Sequence, residues 1–183
     1  MIKNSKKFGI NIHSYKLDWK KVIKRSRDIA KRLNKGIEYL LNKNKIAYIS
    51  NYGRLKDKNT VLLDNNKEIK SKYIVIATGG RSKQIPNIDI DGKHIISSKE
   101  AMNLNKIPKE LIIVGAGAIG VEFASIYSSF GSKVTLIEGL DRILPNEDKD
   151  ISNELEKIFK RKKINILTNT KVKEIKKGSK NQV

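Results

Sequence analysis

The 183-residue sequence contains no cysteine. That absence excludes a disulfide framework, a thiolate metal site and any thiol chemistry carried by this chain alone. The sequence also has no apolar run of the roughly 20 residues that a helix needs to cross a bilayer. No apolar stretch of the kind found in a signal peptide follows the charged N-terminus. Membrane insertion and secretion are therefore disfavoured. We expect a cytoplasmic protein with no membrane partner.

Acidic residues are scarce, since 19 Asp and Glu oppose 39 Lys and Arg and leave a formal net charge of +20. Such a charge can indicate a nucleic-acid or anionic-membrane partner. However, only 7 of the basic residues are arginine, whose planar fork is the better reader of phosphates and bases. The lysines are scattered, without a basic stripe interleaved with aromatic residues. We expect no nucleic-acid partner, and a non-catalytic basic module is kept as an alternative.

The basic charge is unevenly distributed along the chain. Residues 1–106 carry a net charge of +16 and residues 107–183 a net charge of +4. The change falls at Ile107 and Pro108, after a polar run typical of a linker. We therefore predict two domains, at residues 1–106 and 107–183.

The first half is predicted to contain one long helix and short strands. Asp18 is positioned to cap the helix, whose apolar residues recur at helical spacing from Trp19 to Leu41. Residues 73–77 form a continuous apolar run that predicts a buried parallel strand ending at Thr78. Ser97 and Glu100 predict a capping box for a short helix reaching Leu104. A small antiparallel sheet is predicted from strands at residues 46–50, 60–63 and 68–70.

The second half alternates strands with helices. This order is typical of an α/β fold in which helices cover a parallel sheet. The predicted helices lie at residues 118–130 and 148–163. The predicted strands lie at residues 111–114, 133–138 and 164–167, with a further strand beginning at 171–175.

A G-x-G-x-x-G motif at residues 115–120 follows the first of these strands and opens a helix. Gly115 makes a tight turn, Gly117 lets the backbone approach a pyrophosphate, and Gly120 lets the helix pack closely on the strand. Glu138 ends the next strand, 18 residues after Gly120, where an acid can accept hydrogen bonds from ribose hydroxyls. No arginine follows it directly, which favours NAD over NADP. We predict a Rossmann-like NAD-binding domain.

A wider set of residues resembles a known family. The set comprises Ile-Ala-Thr-Gly-Gly-Arg at 76–81, Pro86, the glycine motif with Val121 and Glu122, Glu138, and Asp-Arg-Ile-Leu-Pro at 141–145 with Asp148. It is similar to the FAD- and NAD-dependent disulfide oxidoreductases, and within them to the dihydrolipoamide dehydrogenase branch. The resemblance implies an α/β chain with an incomplete FAD-binding segment, made of the long helix and the small sheet, before the NAD-binding domain.

The resemblance also implies roles for individual residues. Those expected to contact FAD are Gly53, Thr78, Gly79 and Gly80. Those expected to bind NAD are Gly115, Ala116, Gly117, Ala118, Ile119, Gly120, Val121 and Glu122. Glu138 would hold the adenosine ribose, and the backbone of Val172 would contact the adenine.

Several parts of the family pattern are missing from the sequence. It contains neither the first G-x-G-x-x-G of the family nor the redox-active cysteine pair nor the His–Glu acid/base pair. We therefore expect an internal fragment with no catalytic residue and no metal site, inactive alone in lipoamide oxidation. Apolar faces at Ile74, Ile76, Ile112 and Val114 are expected to be partly exposed.

The intact enzyme would be a homodimer that oxidises dihydrolipoamide with NAD⁺ through FAD and a disulfide. Its partner would be the lipoyl domain of a 2-oxoacid dehydrogenase complex or of a glycine cleavage system. Another NADH-dependent disulfide reductase or oxidase of the same superfamily is the alternative.

Overall fold

A computed structural model describes residues 2–80, 82, 85–86 and 88–176. The chain forms two compact units, one comprising Met1–Arg25 with Ser82–Val183 and the other Ser26–Arg81. These units do not follow the boundary predicted at residue 107, which rests on a change of composition rather than on packing. That boundary stays a prediction.

The chain begins with a 3₁₀ helix, Ile2–Phe8, followed after a loop by the long helix α1, Trp19–Lys43. Asp18 caps α1 as predicted, because its Oδ1 accepts a hydrogen bond from the backbone N–H of Lys21 at 3.1 Å. None of the residues of α1 is fully buried. Within the described residues, no helix is both long enough and apolar enough to cross a bilayer.

A small antiparallel sheet follows α1 and contains β1, Gly53–Asp57, β2, Thr60–Leu63, and β3, Glu68–Lys70, in that order. The predictions for β2 and β3 are confirmed. The strand predicted at 46–50 is wrong, because β2 pairs instead with β1, which the sequence pattern did not indicate. The tight turn before β2, where Asp57 Oδ1 accepts from the N–H of Asn59 at 2.8 Å, brings Gly53–Asp57 alongside it.

The strand predicted at residues 73–77 is also wrong. The segment is irregular, and the side chain of Val75 is 87% exposed. A parallel strand exists only through its hydrogen bonds to neighbours, and no strand in the described part of the chain pairs with this one. The expected exposure of Ile76, Ile112 and Val114 is confirmed, and Ile74 is half-buried.

The second sheet is parallel, as predicted, and supports the Rossmann-like fold. It contains β4, Glu110–Val114, β5, Lys133–Ile137, and β6, Asn165–Leu167, in that order. The strand predicted at 171–175 is wrong, since the backbone there is irregular. Among the described residues, backbone hydrogen bonds continue beyond β6 as far as Thr170, whose N–H donates to the carbonyl of Glu138 at 2.9 Å.

Helices α2, Ser98–Ala101, α3, Ala118–Ser129, and α4, Lys149–Arg161, accompany this sheet. The predicted capping box of Ser97 and Glu100 is present, although α2 is a single turn and ends before Leu104. Hydrogen bonds from Ser97 to the carboxylate lower the pKa of Glu100. Asp148 caps α4 by accepting from the N–H of Asp150 at 2.7 Å.

The core lies between this sheet and its helices. Tyr127, Leu136 and Phe159 are its large, fully buried members. The ring of Trp19 lies 5.8 Å from that of Tyr127, and its Nε1–H donates to the carbonyl of Leu104 at 2.7 Å. The first turn of α1 is thereby attached to the α/β core. The other buried hydrophobic members are Ala116, Val121, Ala124, Val134, Ile143 and Ile164.

Truncating the core is expected to be costly. We expect Leu136→Ala to lower the free energy of unfolding by about 2–5 kcal/mol, because it removes buried methyl groups and leaves a cavity. The matched change Leu140→Ala, at an exposed side chain, should alter it by less than about 0.5 kcal/mol. Equilibrium unfolding of both variants checks this, and equal losses would contradict the assigned core.

Burial raises the pKa of Tyr127, whose hydroxyl donates to the carbonyl of Ala101 at 2.5 Å. The unfolded state therefore loses this proton first, at a pH of about 10, and stability falls as the pH rises beyond that value. Tyr127→Phe should be less stable than the wild type at neutral pH, and the difference should shrink above pH ~10. Unfolding curves between pH 8 and about 11 test this, and a difference independent of pH would contradict it.

Candidate dinucleotide-binding site

The glycine motif forms the turn between β4 and α3. Gly115 continues the ladder to β5, because its N–H donates to the carbonyl of Ile137 at 2.8 Å. Its φ of +101° lies in the left-handed region, which side chains disfavour. The chain can therefore turn away from the sheet immediately after the last residue of β4.

Gly120 is required by the close approach of α3 to this turn. A Cβ at Gly120 would lie 2.0 Å from the carbonyl oxygen of Gly115, which is a backbone atom that cannot swing aside. This overlap is the physical reason for the packing role that the sequence predicted for Gly120. It places the first turn of α3 against the end of β4.

The N-terminus of α3 is open. Gly117 is the N-cap with no side-chain capping bond, and a Cβ there would meet no atom within 4 Å. The amides of Ala118, Ile119 and Gly120 have no intrahelical acceptor in an α-helix, and the helix dipole adds positive potential. This arrangement suits the pyrophosphate of a dinucleotide.

Glu138 lies beside the turn, at the end of β5. Its Oε2 accepts from the N–H of Ala116 at 2.7 Å, and its Oε1 accepts from the N–H of Leu140 at 3.0 Å. A carboxylate has about four lone-pair positions, so it retains acceptor capacity for a ribose hydroxyl. Glu138 thus both anchors the turn and remains available to a ligand.

The segment 141–145, which the sequence marked only through the family resemblance, lies against the glycine turn in the structure. Ile143 is fully buried, and the N–H of Leu144 donates to the carbonyl of Ala116 at 2.8 Å. An apolar Ile-Leu pair between polar residues is the sequence signal that could have indicated packing. Arg142 forms an ion pair with Asp141 at 3.1 Å and donates to the carbonyl of Pro145 at 3.0 Å.

A family model matches nearly the whole chain. The model of the pyridine nucleotide-disulphide oxidoreductases matches residues 3–183. The chain belongs to this family. Its members use FAD and NAD(P), which agrees with the FAD and NAD expected from the sequence.

Named relatives agree with the family. A dihydrolipoyl dehydrogenase of Zymomonas mobilis is 40% identical over 171 residues, covering 91% of this chain and 37% of the relative. One of Acholeplasma laidlawii is 37% identical over 179 residues, covering 95% and 53%. The HOCl-induced flavoprotein disulfide reductase of Escherichia coli superposes with a TM-score of 0.75 at 31% identity, covering 89% of this chain and 38% of that one. The chain thus spans between about a third and about half of the length of these relatives.

Three further residues predicted to contact NAD lie outside the turn and Glu138. Val121 is buried in the core, and Glu122 is exposed on the first half of α3. Val172 is half-buried on irregular backbone beyond β6. Their contacts to NAD stay predictions.

The predicted FAD residues lie in the other unit. Gly79 has a φ of +77°, and a Cβ at Gly79 or Gly80 would meet no atom within 4 Å. With the exposed Thr78 they form an open backbone surface that a flat ligand can approach. At Gly53 a Cβ would lie 2.9 Å from Cγ1 of Val61, so packing across the β1–β2 pair already explains that glycine.

No metal chemistry is evident in the described ranges, which hold no group of three or more His, Asp or Glu able to bind an ion. The sequence contains no cysteine, so these residues offer binding surfaces rather than a redox thiol.

Gly120→Ala is expected to lower the free energy of unfolding by about 1–3 kcal/mol, because the new Cβ overlaps a backbone oxygen. Gly117→Ala, three residues earlier, enters open space and should cost less than about 1 kcal/mol. Thermal or urea unfolding compares the two variants. A more damaging Gly117→Ala would contradict the assigned close approach.

Proposed function

We propose that the chain supplies the NAD-binding site and part of the FAD-binding site of a dihydrolipoyl dehydrogenase. The reaction would convert dihydrolipoamide and NAD⁺ into lipoamide, NADH and a proton. The observation that carries the proposal is the turn at residues 115–120, where α3 meets β4 at a distance that only glycine allows, beside Glu138. The domain boundary at residue 107 and a cytoplasmic location belong to the same proposal.

The NAD site would use backbone more than side chains. The open amides of Ala118 and Ile119 would donate to the pyrophosphate, while Gly117 leaves room for it. Glu138 would accept from the ribose hydroxyls, and its charge would repel a 2′-phosphate. With Arg142 held by Asp141 and Pro145, we infer a preference for NAD over NADP.

Bound FAD would supply the redox centre between a dithiol and the nicotinamide. In this chain Thr78, Gly79 and Gly80 would present backbone to it, because their surface is open. Gly53 is the least supported member of this set, since Val61 accounts for it. The redox disulfide has to come from outside these 183 residues, which include no cysteine. A lipoyl domain and a second subunit are the proposed partners.

A second candidate is favoured by the likeness to the E. coli reductase at 31% identity. In that case the same two sites would pass electrons from NADH to a different disulfide. The two candidates share their cofactor sites and differ only in the substrate, so a substrate comparison separates them.

The test uses the protein expressed from its complete reading frame. We expect it to reduce NAD⁺ with dihydrolipoamide, followed by NADH absorbance, and to use NADP⁺ poorly. Reduction of another disulfide by NADH, with no reaction of dihydrolipoamide, would support the second candidate. Failure to bind any pyridine nucleotide would contradict both.

Gly117→Ala should weaken NADH binding at least about tenfold, because its Cβ enters the space reserved for the pyrophosphate. Gly36→Ala is the matched control, since it also meets no atom within 4 Å but lies on α1. Fluorescence titration with NADH measures both. Unchanged binding by Gly117→Ala would place the nucleotide elsewhere.

A further inference from the structure

A series of hydrogen bonds connects α4 to the glycine turn. The hydroxyl of Ser152 lies 3.1 Å from the carbonyl oxygen of Leu144, to which it donates. The N–H of Leu144 donates in turn to the carbonyl of Ala116, between Gly115 and Gly117, at 2.8 Å. The middle of the motif is therefore connected to α4 through one residue of the loop.

The carbonyl of Ala116, at the end of this series, determines the direction in which the N–H of Gly117 points. The carbonyl of Ala116 and the N–H of Gly117 belong to one trans peptide plane and point in opposite directions. Holding the carbonyl toward Leu144 therefore directs the N–H of Gly117 away from that loop. Since Glu138 holds the N–H of Ala116, the peptide groups on both sides of this residue are oriented.

Leu144 needs external support for its conformation. Its φ of +47° lies in a region that branched and bulky residues rarely occupy. Its carbonyl receives two donors, the N–H of Glu147 at 2.9 Å and the hydroxyl of Ser152. Ser152 is 1% exposed, so water does not compete for this bond.

We propose that Ser152 is a positioning residue for the dinucleotide-binding turn, acting through the backbone of Leu144 on the peptide that joins Ala116 to Gly117. The consequence for NADH rests on the proposed function, whereas the consequence for the turn does not. The hydroxyl of Ser152 bonds the carbonyls of Leu144 and Asp148 and would act on the turn only through Leu144, so we expect its effect on affinity rather than on chemistry.

The matched control is another serine whose hydroxyl bonds one helical turn back. Ser152 Oγ also lies 3.2 Å from the carbonyl of Asp148, four residues earlier. Ser129 makes the same type of bond, to the carbonyl of Ser125 at 2.7 Å, without a connection to the loop. Because Ser129 is exposed and Ser152 is buried, the two variants can differ in stability, and the selective change at Ala116 and Gly117 is the quantity that reports the bond to Leu144.

The experiment measures amide hydrogen exchange and NADH titration on the protein from its complete reading frame. In Ser152→Ala we expect faster exchange at Ala116 and Gly117, with unchanged exchange in the middle of α3. The Kd for NADH should rise about three- to tenfold, and KM for NAD⁺ should rise more than kcat falls. Ser129→Ala should change none of these quantities.

Two results would overturn the proposal. One is exchange and Kd in Ser152→Ala that match those of Ser129→Ala. The other is a large fall in Tm with faster exchange throughout α3 and α4, which would show a role in general packing. If the wild type binds no NADH, the proposed function fails, and selective exchange at Ala116 still decides the positioning role.

Discussion

The structure of the candidate site depends on the contact between Gly120 and the carbonyl of Gly115. Any side chain at position 120 would overlap that oxygen, so the contact requires glycine and brings α3 directly onto the end of β4. Because the helix begins there, one of its faces carries Val121 and Tyr127 into the core, and its amide end remains open to solvent. The same constraint therefore serves the packing of the unit and the exposure of an anion-binding surface.

The peptide groups around Ala116 connect this surface to the rest of the unit. Glu138, at the end of β5, holds one side, and Leu144, in the loop before α4, holds the other. Within that loop, Arg142 donates to Asp141 and to the carbonyl of Pro145. In a chain with a net charge of +20, the acid of the candidate dinucleotide site thus lies beside open backbone donors. The proposed preference for NAD over the more negative NADP rests on this local arrangement and not on the charge of the whole surface.

Predictions based on local patterns agreed with the structure where the cause is itself local. The cap at Asp18, the box at Ser97, and the helices predicted at 118–130 and 148–163 all depend on residues within about one turn of each other. The strands predicted at 46–50, 73–77 and 171–175 are absent because each segment needed a neighbouring strand, and no described strand pairs with any of them. The pairing of Gly53 with Leu63 instead follows from a hairpin turn that the apolar pattern did not mark.

The sequence by itself determined the glycine turn, the helix that follows it and the acid at the next strand end, because a missing Cβ, a periodicity and a spacing are properties of neighbouring residues. Only the tertiary structure decided that Leu144 binds Ala116, that Ser152 supports Leu144, and that Gly53 faces Val61. Each of those contacts joins residues that come together only after strands have paired and helices have packed. The free energy of pairing two strands depends on both strands, and the side chains of one segment do not specify which segment will pair with it.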